Sequence, residues 1–183
     1  AASNEDQWMY AEQAGVDLQL PLDIRVKLAG AYYKWTHVGS GNFGQNVANE
    51  GNRGVGRAPS ATPGILSNEF GVAEFTGELS YWIAGLPLSV QGTFIRNVRA
   101  KINPMEDVGY QVGGRYGKAA AASSWELAYF YKWLETDATV ADVADSDFGD
   151  GGTNRRGHIL WAAYNPTEWL QLKTKYFLTK VIN

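Results

Sequence analysis

The residues best equipped for chemistry lie in one stretch, ETDATVADVADSDFGDGG, residues 135–152. It carries Glu135, Asp137, Asp142, Asp145, Asp147 and Asp150 and no basic residue. Asp145, Asp147 and Asp150 set three carboxylates close together, and hard oxygen donors of this kind suit calcium. The spacing is not that of an EF-hand loop, whose ligands alternate at fixed positions around a glycine and end in a distal glutamate. The competing reading is a solvated acidic loop. Arg155, Arg156 and His158 follow closely. They have the charge to pin the loop through its aspartates or, alternatively, to form an anion-attracting rim. Catalysis finds little to build on. The chain has two histidines, His37 and His158, and neither stands in a motif with a nucleophile. Asp147 with His158 is a pairing on paper only, because nucleophilic chemistry needs base, nucleophile and orienting group together. GNRGVGR, in the glycine-rich segment 38–68, lacks the strand–GxxxxGK[ST]–helix context of a phosphate loop. The residues therefore predict a non-enzyme with no catalytic residue and no cofactor.

Bulk properties narrow the class. A chain of 183 residues suffices for one domain with a real core. A net charge of −3 and no basic stripe give no electrostatic case for nucleic acid. Cysteine is absent, which excludes thiolate metal sites and disulfide scaffolds and suits an oxidising envelope. Seven Trp, ten Tyr, seven Phe and 21 Gly are a heavy load for this length. Mean hydropathy is −0.29 and no apolar run approaches the length of a spanning helix. A membrane barrel escapes that test, because its strands alternate lipid-facing with lumen-facing residues. The opening AASNEDQW has neither a basic nor an apolar leader region.

The elements that would position these residues are strands. Alternation with turn signals between the runs predicts eight, at 9–20, 23–36, 69–83, 87–98, 107–117, 124–134, 156–164 and 169–181. GKAAAASSW is the one stretch with helical character, and it is too short to stand. All six prolines fall in connections or at a strand's first residue, where no ladder donor is needed. Connection lengths alternate strictly: PL, then about thirty residues, then AGL, RAKINPME, GKAAAAS, the long acidic loop, and NPTE. Tight turns at one end and long loops at the other are the habit of outer-membrane barrels rather than of compact soluble β-domains. The expected class is an all-β, antiparallel, up-and-down transmembrane β-barrel.

Each strand then has two faces. The apolar rows include Val16, Leu18, Leu28, Phe75, Leu79, Val90, Phe94, Val112, Leu127, Tyr129, Ile159, Trp161, Ala163, Leu172 and Leu178. Aromatic residues gather towards the row ends: Tyr81, Trp82, Tyr116, Trp125 and Trp169 near the short turns, and Tyr33, Trp35, Tyr131, Trp133 and Tyr176 near the long loops. With Trp161 they form the expected membrane-interface set. The opposite face holds Arg25, Lys27, Glu74, Thr76 and Glu78. It continues through Gln91, Thr93, Gln111, Arg115, Glu126, Lys132, Gln171, Lys173 and Lys175, the expected lining of a water-filled lumen. Six bases against four acids, with Asp17, bias such a lining weakly towards anions. A soluble ligand-binding barrel would turn this face outward. Segment 38–68 is long enough to fold inward as a constriction, and equally able to lie on the outer surface.

One stretch is more specific than periodicity. SDFGDGGTNRRGHILWAAYNPTEWLQLKTKYFLTK, residues 146–180, resembles the carboxy-terminal part of the bacterial "putative porin" family of outer-membrane β-barrels. Those proteins carry a similar SDFGxGGTNxxGH loop, then a strand, a tight turn and a strand ending in aromatics. WELAYFYKWLETDATVADV, residues 125–143, resembles the strand and loop before it, and the likeness extends over about 69–182. The resemblance implies an outer-membrane, porin-like channel passing small hydrophilic solutes or ions, with lipid around it. It supplies no catalytic or ligand residue. Such barrels end in a strand with a terminal aromatic, whereas this sequence stops at KVIN. The expectation is one barrel domain over 1–183 that is part of a larger barrel. The alternatives are a sheath whose lumen holds a partner protein and a soluble ligand-binding barrel; further copies of the chain or other envelope proteins are candidate partners.

Overall fold

A computed structural model of the chain describes residues 8–38, 66, 68–101, 104–149 and 151–182. Eight strands make one antiparallel sheet in simple sequence order: β1 (Met9–Gln19), β2 (Arg25–Trp35), β3 (Gly71–Ile83), β4 (Leu86–Asn97), β5 (Val108–Gly117), β6 (Ser124–Leu134), β7 (Arg155–Asn165) and β8 (Leu172–Val181). Each strand pairs with its sequence neighbours, and β1 and β8 are not paired with each other. Among the described residues there is no α-helix, and GKAAAASSW is a connection running into β6. β2 begins later than the pattern predicts because Pro21–Asp23 forms a 3-10 turn. β8 starts at Leu172 rather than 169, because 166–171 is still connection.

The tightest connection is Ala84–Gly85, with φ of 50° and 77°. Two left-handed residues give a primed turn whose twist matches the flanking strands, and glycine takes the second place without a Cβ penalty. Long connections all lie at the other end of the sheet, after β2, β4 and β6.

Register distributes the side chains. Directly opposed residues share a face. Val16, Leu28, Gly77, Gly92, Val112 and Tyr131 form one row through consecutive strands. Leu18, Val26, Leu79, Val90, Gly114, Tyr129, Leu160 and Tyr176 form the next. This apolar face is bare: Phe75 is 55%, Leu127 52% and Tyr176 61% exposed.

The buried core lies elsewhere. One cluster joins Trp35, Val38, Leu66, Phe70 and Val72 with Val140 and Ala141. The second joins Ala128, Phe130 and Ile159 with Phe148. Trp35 and Val72 belong to the face that carries Lys27 and Glu78, and Phe130 and Ile159 to the face that carries Lys132. The loop between β6 and β7 therefore folds down onto the polar side of the sheet and buries its own apolar residues there.

Candidate pore wall

The polar face is assembled by β-alternation alone. Arg25, Lys27, Ala29 and Ala31 on β2 oppose Ser80, Glu78, Thr76 and Glu74 on β3. These oppose Ser89, Gln91, Thr93 and Ile95 on β4, and Arg115 and Gln111 follow on β5. Glu126 and Lys132 on β6 and Lys173 and Lys175 on β8 share that face through β7. Of the expected lining, Gln171 stands apart. It precedes β8, and its Nε2 donates to the Ala119 carbonyl (3.1 Å) and to Asn165 Oδ1 (2.9 Å). It ties two short connections together rather than paving the sheet.

On this face the charges of β1, β2 and β5 are paired in place. Arg25 forks onto both carboxylate oxygens of Asp17, its Nε donating at 2.7 Å. Glu78 accepts from Lys27 (3.4 Å) and, across the intervening β4, from Arg115 (3.1 Å). Thr76 and Thr93 hydroxyls meet at 3.1 Å, and Trp161 Nε1 donates to Glu126 at 2.8 Å. A groove of about 440 Å³ runs between these side chains, lined by Gln13, Asp17, Lys27, Glu78 and Gln91.

The aromatic residues divide between the faces. Tyr81, Tyr116, Trp125, Tyr131, Trp133 and Tyr176 lie on the apolar face. Tyr116 and Trp125 meet edge to face at 5.5 Å, and Tyr110 stacks on Trp133 at 6.4 Å. Tyr33, Trp35, Trp82 and Trp161 do not share that face: register sets them with Lys27, Glu78 and Lys175. Trp35 is buried under the long connections, and Trp161 stacks on Phe130 at 5.3 Å. Ile159 and Ala163 follow Trp161 onto the polar side. The reason is parity. Tyr33, Trp35 and Trp82 keep step with Arg25 and Ser80; Trp35 and Tyr33, at the long-loop end, pack in the cluster beneath the folded connections, whereas Trp82, beside the short β3–β4 turn, is 55% exposed. Trp169 sits in the last short connection and is 82% exposed.

What holds the acidic loop also differs from expectation. Arg155 Nε donates to the Gly151 carbonyl at 3.5 Å. Arg156 lies over the Trp133 ring at 5.0 Å on the apolar face. His158 shares that face and meets the Tyr129 hydroxyl at 2.9 Å, which separates it from Asp147 on the other side. The loop is anchored instead by Phe148, by the Thr153 hydroxyl donating to the Thr136 carbonyl (2.7 Å), and by Asn68 donating to Asp137 (2.8 Å). Asn97 completes the tie, donating to the Glu69 and Asp137 carbonyls and accepting from the Gly71 and Arg99 amides, each at 3.1 Å. Asp145 Oδ1 accepts from the Asp147 amide at 3.1 Å, and Asp147 lies 4.0 Å from Lys175. Asp150 is outside the described residues, and among these no three carboxylate or histidine groups converge as a metal site would require. Segment 38–68 likewise lies almost wholly outside them.

Sequence reasoning missed Phe130, Phe148 and Phe177 as the seat of the loop. The signal was present, since Phe130 keeps step with Glu126 and Lys132, and Phe177 with Lys173 and Lys175. Asn97 and Asp137 left no such trace.

The sequence model of a family described as "Putative porin" matches residues 1–62 and 86–183. The chain belongs to that family. The match takes in the first two strands as well as the SDFGDGGTN segment, and it skips 63–85, where β3 lies. Membership points to a non-enzymatic, porin-like role and to the bacterial outer membrane. Neither a curated protein nor a solved structure matches the chain.

Proposed function

We propose that this porin-family chain forms wall of an outer-membrane channel through which small hydrophilic solutes or ions diffuse. The observation that carries the reading is the side on which the β6–β7 loop folds. Phe148 is completely buried on the polar face, while an eight-strand apolar face stays uncovered. A loop that fills the inside of a curved sheet and leaves apolar rows outside is the arrangement of a membrane barrel, not of a soluble barrel with an apolar interior. The Arg115–Glu78 contact across β4 agrees, because bending towards the polar side brings alternate strands together. Closing the wall requires the β1 and β8 edges to be covered, by each other or by further strands, since open edges do not survive in lipid.

In this reading Arg25, Lys27, Glu74, Thr76, Glu78, Gln91, Thr93, Gln111 and Arg115 line the lumen, and the ordered loop narrows it. Tyr81, Tyr116, Trp125 and Trp133 meet the lipid interfaces. The test is reconstitution of the full-length protein into planar bilayers. Stable ohmic steps support the channel. Intact insertion into the bilayer with no conductance overturns it.

A further inference from the structure

Arg155 joins the six expected bases on the polar face, and those six are not equivalent. Arg25 is spent on Asp17, and Lys27 and Arg115 on Glu78. Lys132 and Lys173 have no carboxylate within ion-pair distance among the described residues, and Lys175 reaches Asp147 only at 4.0 Å. Glu126, the strand acid that shares this side of the face, receives the Trp161 indole. Each of the three ammonium groups is seated on an aromatic ring: Lys132 on Phe148 at 4.7 Å, Lys173 on Trp161 at 5.3 Å and Lys175 on Phe177 at 4.5 Å. An aromatic face attracts the cation without neutralising it. It fixes the charge and strips water from one side, leaving the remaining N–H donors for a ligand. Of the loop carboxylates, Asp145 acts on Lys132 through its charge without an ion-pair contact, and Asp147 is largely exposed.

We infer that the β6–β8 side of the polar face is an anion site, and that small anions are the solute class this wall conducts. The inference deepens the channel reading and rests on it for conduction, while anion binding stands on the lysine cluster itself. On the polar face of β1–β5 Arg25, Lys27 and Arg115 balance Asp17, Glu74 and Glu78 in sum, whereas on β6–β8 Lys132, Lys173, Lys175 and Arg155 face the single strand acid Glu126, so the net positive charge of the wall falls there. Three fixed charges on a partly dry surface raise the local concentration of a monovalent anion roughly threefold or more.

Trp161, under Lys173, is a built-in reporter. In the full-length protein in detergent, its emission is isolated as the difference between wild type and Trp161→Phe. It is then quenched with iodide and, separately, with caesium. Iodide is expected to quench it about threefold more effectively than caesium, relative to free tryptophan. Lys132→Gln, Lys173→Gln and Lys175→Gln together should abolish that preference, whereas Lys34→Gln on the apolar face should leave it. In bilayers the same triple variant should lose anion selectivity measured as a reversal potential across a chloride gradient. Channels whose selectivity and iodide preference both ignore the triple variant overturn the anion site and leave the channel standing. Preferential iodide quenching without conductance keeps the site and removes the channel.

Discussion

Replacing Phe148 with alanine tests the docked loop directly. Its ring is completely buried against Phe130 and Ile159, meets Phe177 edge to face at 6.3 Å, and carries the Lys132 ammonium at 4.7 Å. Truncating a buried phenylalanine costs about 3–5 kcal/mol, with ring and cation contacts included in that span. Here the lower end applies, because a surface loop can settle into part of the space it vacates. At about 1.4 kcal/mol per tenfold, a loss of about 3 kcal/mol multiplies the undocked population roughly a hundredfold. The strand ladders do not depend on this ring, so the arm 144–152 should lift while the sheet stays folded. The assay is cleavage by a protease that cuts at aspartate, directed at Asp145 and Asp147. When reclosing outpaces cleavage, the rate follows the open population and should rise by about two orders of magnitude. Phe148→Leu should fall between. Single-channel conductance should rise as the arm leaves the polar face. A cleavage rate within about threefold of wild type, with the sheet intact, would refute the anchoring role of Phe148.

Neighbouring residues test the two faces. Val90→Arg should cost about 2–4 kcal/mol of folding stability in vesicles, and Gln91→Arg less than about 1, because one meets lipid and the other water; equal costs would reverse the assignment. Asn97→Asp places a carboxylate against the Glu69 and Asp137 carbonyls that the amide now serves, and should destabilise the loop tie by about 2–3 kcal/mol in denaturation at neutral pH. Glu69 is held below the ordinary glutamate value of 4.5 chiefly by the hydrogen bond from Arg99, helped by the charges of Arg99 and Lys101 against some desolvation. Its contribution is therefore fully present above that value and is lost as pH falls through the lower folded value. The pair is half-exposed, so at most about 0.5 kcal/mol is involved. Amide exchange at 99–101 should quicken modestly below pH 4.5 in wild type and not in Arg99→Gln.

The eight strands, their order and the alternation of short and long connections follow from period-two patterning and turn residues in PL and AGL, because each is decided by residues adjacent in the chain. Family membership was legible in SDFGDGGTN and the strands around it. β7 shows where local reading stops. His158, Leu160, Ala162 and Tyr164 alternate with Ile159, Trp161 and Ala163, and either set passes for the apolar side. The Phe130–Ile159 and Ala128–Trp161 pairings with β6 decide that Ile159 and Trp161 face inward.

The sequence by itself determined a meander of amphipathic strands with loops of unequal length at its two ends. Only the tertiary structure decided which charges cancel and where the acidic loop goes. Glu78 draws its partners from positions 51 and 37 residues away. Phe148 finds a seat formed by strands on both sides of its own loop in the chain. Alternation is a property of neighbours along the backbone. Neutralisation and docking are properties of neighbours across strands, and only register brings those together.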